Sequence, residues 1–352
     1  MHERVLTHAH DELFRRPAEE HFASFEAIRH DAEDQRRRCR EVAARDLEIH
    51  FGEDCVHFGD ETLALAHYPL GQLASLARAP MPLLERLKPQ TRAAVLNQCF
   101  QRTRRFKIGL TDGDRLRAVT SDRYERVWDA ELYEAVDRWL LPSGFVPALP
   151  TINTDERGTN ALGNPKPALF RSDRDSFAFF FSEESCGAAF GGLRKGVLVY
   201  NSEVGAKSLG FATFLFREVC GNFLIWGAQG VVERQARHTS QARELFREFD
   251  QELRAIANTV SPLELRLIDR AATADFVAKG DHAAALTRLQ REFRVPARLA
   301  AEVVDAVFLP ENPGDLSTWG VVNGLTSVAK TLPYAADRAE LSRVAGALLA
   351  VR

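Results

Sequence analysis

The strongest structural signal in the sequence is the stretch Phe106-Lys107-Ile108-Gly109-Leu110-Thr111-Asp112-Gly113-Asp114-Arg115-Leu116-Arg117-Ala118-Val119. Apolar and polar residues alternate on both sides of an Asp-Gly pair, which is the pattern of two antiparallel strands joined by a tight turn. We therefore predict a β-hairpin at this position.

Further strand-like and helix-like segments extend outward from the hairpin. Short apolar runs separated by turn residues precede it, and runs of aromatic and β-branched residues at 177–182 and 193–201 follow it. Beyond residue 239 the apolar residues recur at helical spacing, and Ser261-Pro262-Leu263-Glu264 combines an N-cap serine with proline at the first helical position. We therefore predict an α+β fold with a central, mostly antiparallel sheet, backing helices and a helical C-terminal region.

These patterns divide the chain into three regions. We expect a polar N-terminal arm at 1–40, a mixed α/β core at 41–239 and the helical region at 240–352. The run Arg36-Arg37-Arg38-Cys39-Arg40 is typical either of a solvated helix face or of a flexible arm. Proline, glycine, asparagine and threonine are frequent in 142–168, which indicates a long loop or a mobile insertion. Helices are predicted at 69–77, 90–102, 130–141, 281–292, 296–308, 317–331 and 335–350.

Composition narrows the class of protein. With 352 residues and 45% hydrophobic content, the chain is long enough for folded domains with their own cores. No apolar stretch approaches the roughly 20 residues of a membrane helix, and the charged N-terminus lacks the pattern of a secretory signal, so we expect a cytoplasmic protein with no membrane partner. The five cysteines are scattered without a C-x-x-C pair, which favours reduced thiols. Because the common phosphate-loop, zinc-protease and hydrolase motifs are absent, we expect no metal and no cofactor.

Charge is distributed unevenly along the chain. Residues 1–65 contain 16 acidic residues and 9 basic ones, whereas residues 92–126 contain 4 acidic residues and 9 basic ones. Alternate residues of a strand share a face, so Arg115 and Arg117 are expected to project together and follow phosphates, while Tyr124 or Trp128 stacks on bases. The alternative is an ordinary exposed sheet whose arginines pair with nearby aspartates. The candidate nucleic-acid contacts are Arg104, Arg105, Lys107, Arg115, Arg117, Arg123, Tyr124 and Arg126.

A second group of candidate residues surrounds the motif Asn201-Ser202-Glu203-Val204-Gly205, which directly follows a predicted strand. One interpretation is a structural turn in which Gly205 adopts positive φ; the other places Asn201 and Glu203 at a ligand or Mg²⁺ site. His238 follows two arginines and is interpreted either as a capping or surface residue or as part of an active site. Cys220, close to Asn222, is expected to be a buried thiol, with a nucleophilic pair formed with His238 as the alternative.

The motif belongs to a longer signature. It reads Arg194-Lys195-Gly196-Val197-Leu198-Val199-Tyr200-Asn201-Ser202-Glu203-Val204-Gly205 and continues with Phe214, Arg217 and Val219-Cys220-Gly221-Asn222. Weaker pieces are Gly71-Gln72-Leu73, Ser121-Asp122-Arg123-Tyr124, Arg237-His238-Thr239 and Thr318-Trp319-Gly320-Val321-Val322-Asn323. On these residues the stretch from about 69 to 323 resembles domain-of-unknown-function family 932, which is associated with phages and plasmids. Plasmid-type members often carry Asp where this chain has Glu203.

The resemblance implies an origin on a mobile element and brings no established reaction. An analogy to single-strand annealing proteins, which use a curved sheet and a backing helix in ring oligomers, implies single-stranded DNA as the partner and a homo-oligomer. We therefore expect a nucleic-acid-associated protein that binds single-stranded DNA without catalysis. One alternative is a protein-interaction or regulatory module of a phage, plasmid or defence system, which has a protein partner. The other is an enzyme with a site near Asn201, Glu203 and His238.

Overall fold

The computed structural model describes residues 17–100, 106–148, 167–186, 193–217, 233–257, 262–310, 312–332 and 335–350. Within these ranges the strands form two six-stranded sheets, and the helices of the C-terminal region form a separate core. The α+β class, the antiparallel pairing and the helical C-terminal region are confirmed. The difference from the prediction is that the strands form two sheets instead of one central sheet.

The first sheet contains the predicted hairpin and has the strand order β1-β5-β6-β4-β3-β2. Its neighbouring strands are antiparallel except β4 and β6, which are parallel. The turn between β5 and β6 contains Gly113 at φ +61°, a backbone conformation that glycine adopts without strain. The strands are β1 (Cys39–Arg45), β2 (Ile49–Phe51), β3 (Cys55–Phe58), β4 (Glu61–Leu65), β5 (Phe106–Asp112) and β6 (Arg115–Ser121).

Helices that precede the hairpin pack against the first sheet. They are α2 (His67–Leu76), α3 (Met81–Leu84) and α4 (Pro89–Phe100), and they follow α1 (Phe25–Arg38) along the chain. The spacing of Ala93, Leu96 and Phe100 predicts the buried face of α4, and all three side chains are buried in the core of this sheet. The helices and the sheet bury apolar side chains against each other, and this burial stabilises their packing.

The second sheet has the strand order β12-β11-β10-β9-β7, with β8 also paired to β9. Alternation along its central strands places Phe180, Val197 and Phe211 on one face and Phe177, Phe179 and Leu198 on the other. Both sets are buried, so this sheet contributes to two apolar cores. The strands are β7 (Phe145–Pro147), β8 (Leu169–Arg171), β9 (Ser176–Cys186), β10 (Leu193–Asn201), β11 (Leu209–Arg217) and β12 (Glu233–Ala236).

Three helices cover the Phe180 face of the second sheet: α1, α5 (Asp129–Trp139) and α6 (Ser240–Ala257). Part of the predicted N-terminal arm is therefore a packed helix, because α1 buries Ile28 and Ala32 in this core. The three arginines at 36–38 are exposed on its last turn, as expected for a solvated helix face. The sequence grouped α6 with the C-terminal region, but its apolar stripe packs on the second sheet. Helical spacing identifies such a stripe without identifying the surface that it covers.

The C-terminal helices form their own apolar core, which includes Trp319, Val322 and Leu325. Their bounds lie within a few residues of the predicted ones, and Ser317 caps the fourth helix by accepting a hydrogen bond from the Gly320 amide at 3.0 Å. They are α7 (Pro262–Thr273), α8 (His282–Arg291), α9 (Ala297–Val307), α10 (Thr318–Thr331) and α11 (Ala335–Ala350). Across the described part of the chain, no helix combines the length and apolar character needed to cross a membrane. Residues 149–166 of the predicted long loop lie outside the described residues, whereas Phe145–Pro147 form β7.

Candidate functional site

The Asn201–Gly205 motif forms the turn after β10 and contacts both sheets. The Ser202 hydroxyl donates a hydrogen bond to the Arg174 carbonyl at 2.6 Å and accepts one from the Ala206 amide at 2.9 Å. Gly205 has φ +83°, so the motif needs the positive φ expected for this glycine. The backbone and Ser202 therefore form a structural turn.

Glu203 connects this turn to the first sheet through buried polar contacts. Its residue surface is 1% exposed, and Oε2 lies 2.5 Å from Nη1 of Arg117 on β6. Oε1 accepts a hydrogen bond from the Asp129 amide at 2.9 Å, and the Glu203 carbonyl accepts one from Arg126. Arg171 lies 3.8 Å from the same carboxylate. Glu203 thus acts as a shared partner for side chains from several separate segments.

A second carboxylate, that of Asp129, completes a group that we call the ion cluster: Arg117, Arg126, Asp129, Arg171 and Glu203. Arg171 Nε donates to Asp129 Oδ2 at 3.0 Å, and Asn201 Nδ2 donates to Asp129 Oδ1 at 2.7 Å. Arg171 also binds Asp31 and Gln35 on α1. All five members are at most 9% exposed, so the cluster is a buried electrostatic connection between the two sheets and α1.

Burial and charge shift the pKa values in the ion cluster. Burial, followed by repulsion from Glu203, raises the pKa of Asp129 to about 6. Burial lowers the pKa of Arg171, but Asp129, Glu203 and Asp31 outweigh that effect and raise it above its ordinary value. For Asp129 the contribution to stability is fully present below its ordinary pKa of 3.8 and is lost as pH rises through about 6.

His238 lies beside this cluster and is also buried. Its ring stacks on Tyr124 with centroids 4.9 Å apart, and Nδ1 donates a hydrogen bond to the Glu125 carbonyl at 3.2 Å. Burial, together with the smaller effects of the nearby Arg126 and Arg243, lowers its pKa from 6.5 to about 4. Neutral His238 therefore packs inside the protein over the physiological pH range.

The low pKa of His238 gives the first prediction. A depressed histidine pKa contributes stability above the unfolded value of 6.5, and that stability is lost as pH falls towards 4. In urea unfolding from pH 8 to pH 4, the stability advantage of the wild-type protein over His238→Phe should shrink by up to about 3 kcal/mol below pH 6.5. The opposing contribution of Asp129 is common to both proteins and cancels in the difference. A pH-independent difference would contradict this interpretation.

The structure separates the predicted nucleic-acid contacts into several environments. Arg117 and Arg126 are buried in the ion cluster, whereas Arg115 and Arg123 are exposed. The expected common face of Arg115 and Arg117 is not formed, because Leu110 pairs with Ala118 while Thr111 pairs with Leu116. This bulge leaves Arg117 as an extra residue and changes the alternation. Arg104, Arg105, Cys220 and Asn222 lie outside the described residues.

Tyr124 is already engaged by protein groups. His238 stacks on its ring, the Arg126 guanidinium lies 5.2 Å from its centroid, and its hydroxyl donates to the Ser202 carbonyl at 2.8 Å. Burial raises the pKa of Tyr124 above its ordinary value. Tyr124 therefore contributes to the packing around the motif, and the sequence-based role as a base-stacking platform is not favoured by these contacts.

Lys107 instead lines an open cleft of about 460 Å³ between α2 and the ends of β5 and β6. The Lys107 residue is only 7% exposed. Among the residues that the structure describes, its ammonium group has no hydrogen-bond or ion-pair partner. The ammonium is not one of the buried polar atoms that lack a partner, so it reaches the open cleft while the rest of the side chain is buried.

The second sheet provides the opposite wall of the cleft. Arg174, from the turn between β8 and β9, and Gly205 of the motif both line it. The Arg174 guanidinium is exposed and lies 5.1 Å from the ring centroid of Tyr68 on α2. The cleft thus combines two cations, Lys107 and Arg174, with an aromatic ring and open access to solvent.

Hydrogen bonds from the motif hold the two walls together. Gln72 on α2 donates to the Val204 carbonyl at 2.8 Å and accepts from the Val119 amide of β6 at 2.8 Å. The Ser202 hydroxyl holds the Arg174 backbone, as described above. The motif that sequence analysis identified is therefore a positioning element of the cleft.

The hypothesis of an enzyme site requires Asn201, Glu203 and His238 to converge in one pocket. All three are buried near the ion cluster, and none of them lines the cleft. Glu203 and Asn201 bind protein groups there. Within the described ranges no group of three or more His, Cys, Asp or Glu residues could hold a metal ion. These contacts favour a structural role for the three residues.

Sequence reasoning missed several residues of this region: Tyr68, Asp129 as a cluster member, Arg171 and Arg174. They come from segments separated by 30 residues or more along the chain, apart from the neighbouring pair Arg171 and Arg174. Only the repeated charges of Arg171-Ser172-Asp173-Arg174-Asp175 between two predicted strands would have drawn attention to the last two.

Comparison with known proteins adds no assignment. A scan against protein-family models, a search of curated proteins and a search of solved structures each found no match. The resemblance to domain-of-unknown-function family 932 therefore stays a prediction from the sequence.

Proposed function

We propose that this is a nucleic-acid-associated protein of mobile-element origin that binds single-stranded DNA without catalysing a reaction on it. The cleft beside the ion cluster is its main contact. The observation that carries the proposal is Lys107, a cation that is 7% exposed and has no partner among the described residues. The sequence resemblance supports the mobile-element origin.

A phosphate group would supply the missing partner of Lys107. The Lys107 ammonium lines the cleft without a protein counter-charge among the described residues, so an anion that enters the cleft can form a charge-assisted hydrogen bond with it. DNA carries a phosphate at every nucleotide, and the exposed Arg174 is available on the opposite wall. The cleft is therefore suited to a phosphate chain that passes between two cations.

The same cleft favours single-stranded DNA over duplex DNA. The Arg174 guanidinium lies 5.1 Å from the Tyr68 ring centroid, and this exposed plane, backed by the ring, can stack on bases whose faces are not covered by neighbouring bases. In a duplex those faces are covered by neighbouring base pairs. Arg123, two residues beyond the cleft residue Ser121, can extend the contact along the strand. Arg115 is at the opposite end of β6, about 20 Å away, and is assigned a minor role.

Lys107→Met is expected to weaken binding of a labelled single strand about tenfold and to reduce the salt dependence by about one phosphate contact. Fluorescence anisotropy of the full chain over a salt series measures both effects, with duplex DNA as the competitor. Lys279→Met is the matched control, since it removes an exposed lysine from the C-terminal region. Equal affinities of the wild type and Lys107→Met, or a preference for duplex DNA, would contradict the proposal.

A further inference from the structure

We infer that the cleft binds one nucleotide, with its phosphate at Lys107 and its base against the Tyr68–Arg174 pair. We call this binding site the nucleotide seat. This inference rests on the proposed function and specifies its ligand: a nucleoside monophosphate, either free or as one unit of a strand. The cleft volume of about 460 Å³ falls within the range of about 300–1,000 Å³ typical of small-ligand sites.

The phosphate end of the seat is built from two directly opposed residues. Lys107 on β5 pairs with Ser121 on β6, so their side chains lie on the same face of the sheet. Both line the cleft, and together they offer an ammonium group and a hydroxyl group to phosphate oxygens. The recessed ammonium can be reached by a single phosphate that enters the cleft.

The base end is flat and has few groups that could identify a base. The Arg174 guanidinium lies 5.1 Å from the Tyr68 ring centroid, and Leu76 adds apolar surface that is 43% exposed. The amide of Gln72, which could otherwise read a base edge, is bound to the Val119 amide and the Val204 carbonyl. The seat should therefore accept different bases with similar affinity.

Isothermal titration calorimetry on the full chain tests the seat with three probes: dAMP, deoxyadenosine and inorganic phosphate. We expect dAMP to bind at least tenfold more tightly than either fragment, and dTMP to bind within about threefold of dAMP. Lys107→Met should weaken dAMP at least tenfold, whereas the control Lys279→Met should not change it.

Tyr68→Leu separates the base contact from the phosphate contact. It should weaken dAMP by about three- to tenfold and leave inorganic phosphate unchanged, because stacking is lost while Lys107 remains. The variant also removes the hydrogen bond of the Tyr68 hydroxyl to the Val204 carbonyl at 3.4 Å, but Gln72 binds the same carbonyl at 2.8 Å, so we expect the wall of the cleft to be retained. Equal weakening of both probes would overturn the base contact.

Competition with a labelled single strand distinguishes failure of the seat from failure of the proposed function. If single-stranded DNA binds in a Lys107-dependent way but millimolar dAMP does not displace it, the nucleotide seat is overturned and the proposed function stands. If dAMP binds in a Lys107-dependent way but single-stranded DNA does not bind, the nucleotide seat is supported and the proposed function is overturned. Displacement of the strand by dAMP supports both.

Discussion

Replacement of Glu203 by alanine is expected to lower the free energy of unfolding by about 3–5 kcal/mol. The substitution leaves Arg117 buried without its carboxylate at 2.5 Å and removes the acceptor of the Asp129 amide. A buried charge that has lost its partner costs more than the ion pair itself contributes, because the charge cannot return to water without disrupting the fold. Glu203 is therefore predicted to be among the most sensitive positions in the chain.

Urea unfolding of the wild type and Glu203→Ala, followed by tryptophan fluorescence, measures the loss. Glu61→Ala is the matched control, since it removes a glutamate from the Arg40–Glu61 ion pair on the protein surface. Exposed pairs contribute little, so this control should have nearly wild-type stability. If the two variants are equally stable, the ion cluster does not hold the sheets together in the way described.

Truncation of Phe249 to alanine should also cost about 3–5 kcal/mol. Phe249 is fully buried on α6, with its ring 5.1 Å from that of Phe211 on β11 and 6.0 Å from that of Phe246. The variant leaves a cavity between the helix and the second sheet, and the lost dispersion contacts add to the lost apolar burial.

Hydrogen exchange together with urea unfolding can locate this effect. In Phe249→Ala, exchange should accelerate in β10 and β11 and remain unchanged in the C-terminal helices, because α6 packs on the second sheet. Glu248→Ala, one residue earlier on the exposed side of the same helix, should leave both measurements nearly unchanged. Faster exchange confined to the C-terminal helices would show that α6 belongs with them, as the sequence had suggested.

Local patterns predicted much of the secondary structure, while the assembly of the elements was harder to predict. The Asp-Gly turn and its flanking alternation identify β5 and β6, and the proline and serine start signals place most of the C-terminal helices within a few residues. The sequence does not reveal that β4 pairs in parallel with β6, or that the strands separate into two sheets. Those features depend on contacts between distant segments, which propensity and periodicity do not encode.

Only the contiguous part of the candidate site was predictable, because the rest depends on contacts between distant segments. The Asn201–Gly205 motif is contiguous, so its position and its glycine turn could be identified from the sequence. The roles of Arg115 and Arg117 could not be separated, because a bulge in β6 places Arg117 beside Glu203 and leaves Arg115 exposed. The cleft itself brings together Tyr68, Lys107 and Arg174, and no spacing rule connects them.

Because the cleft lies between the two sheets, ligand binding and docking of the sheets are thermodynamically linked. Lys107 belongs to one sheet and Arg174 follows a strand of the other, so a ligand that contacts both binds only when the sheets are docked. By thermodynamic linkage, occupancy of the cleft favours the docked state by the same factor by which docking favours occupancy. A weakened ion cluster would then reduce affinity without altering any residue that touches the ligand, and saturating ligand would restore part of the lost thermal stability.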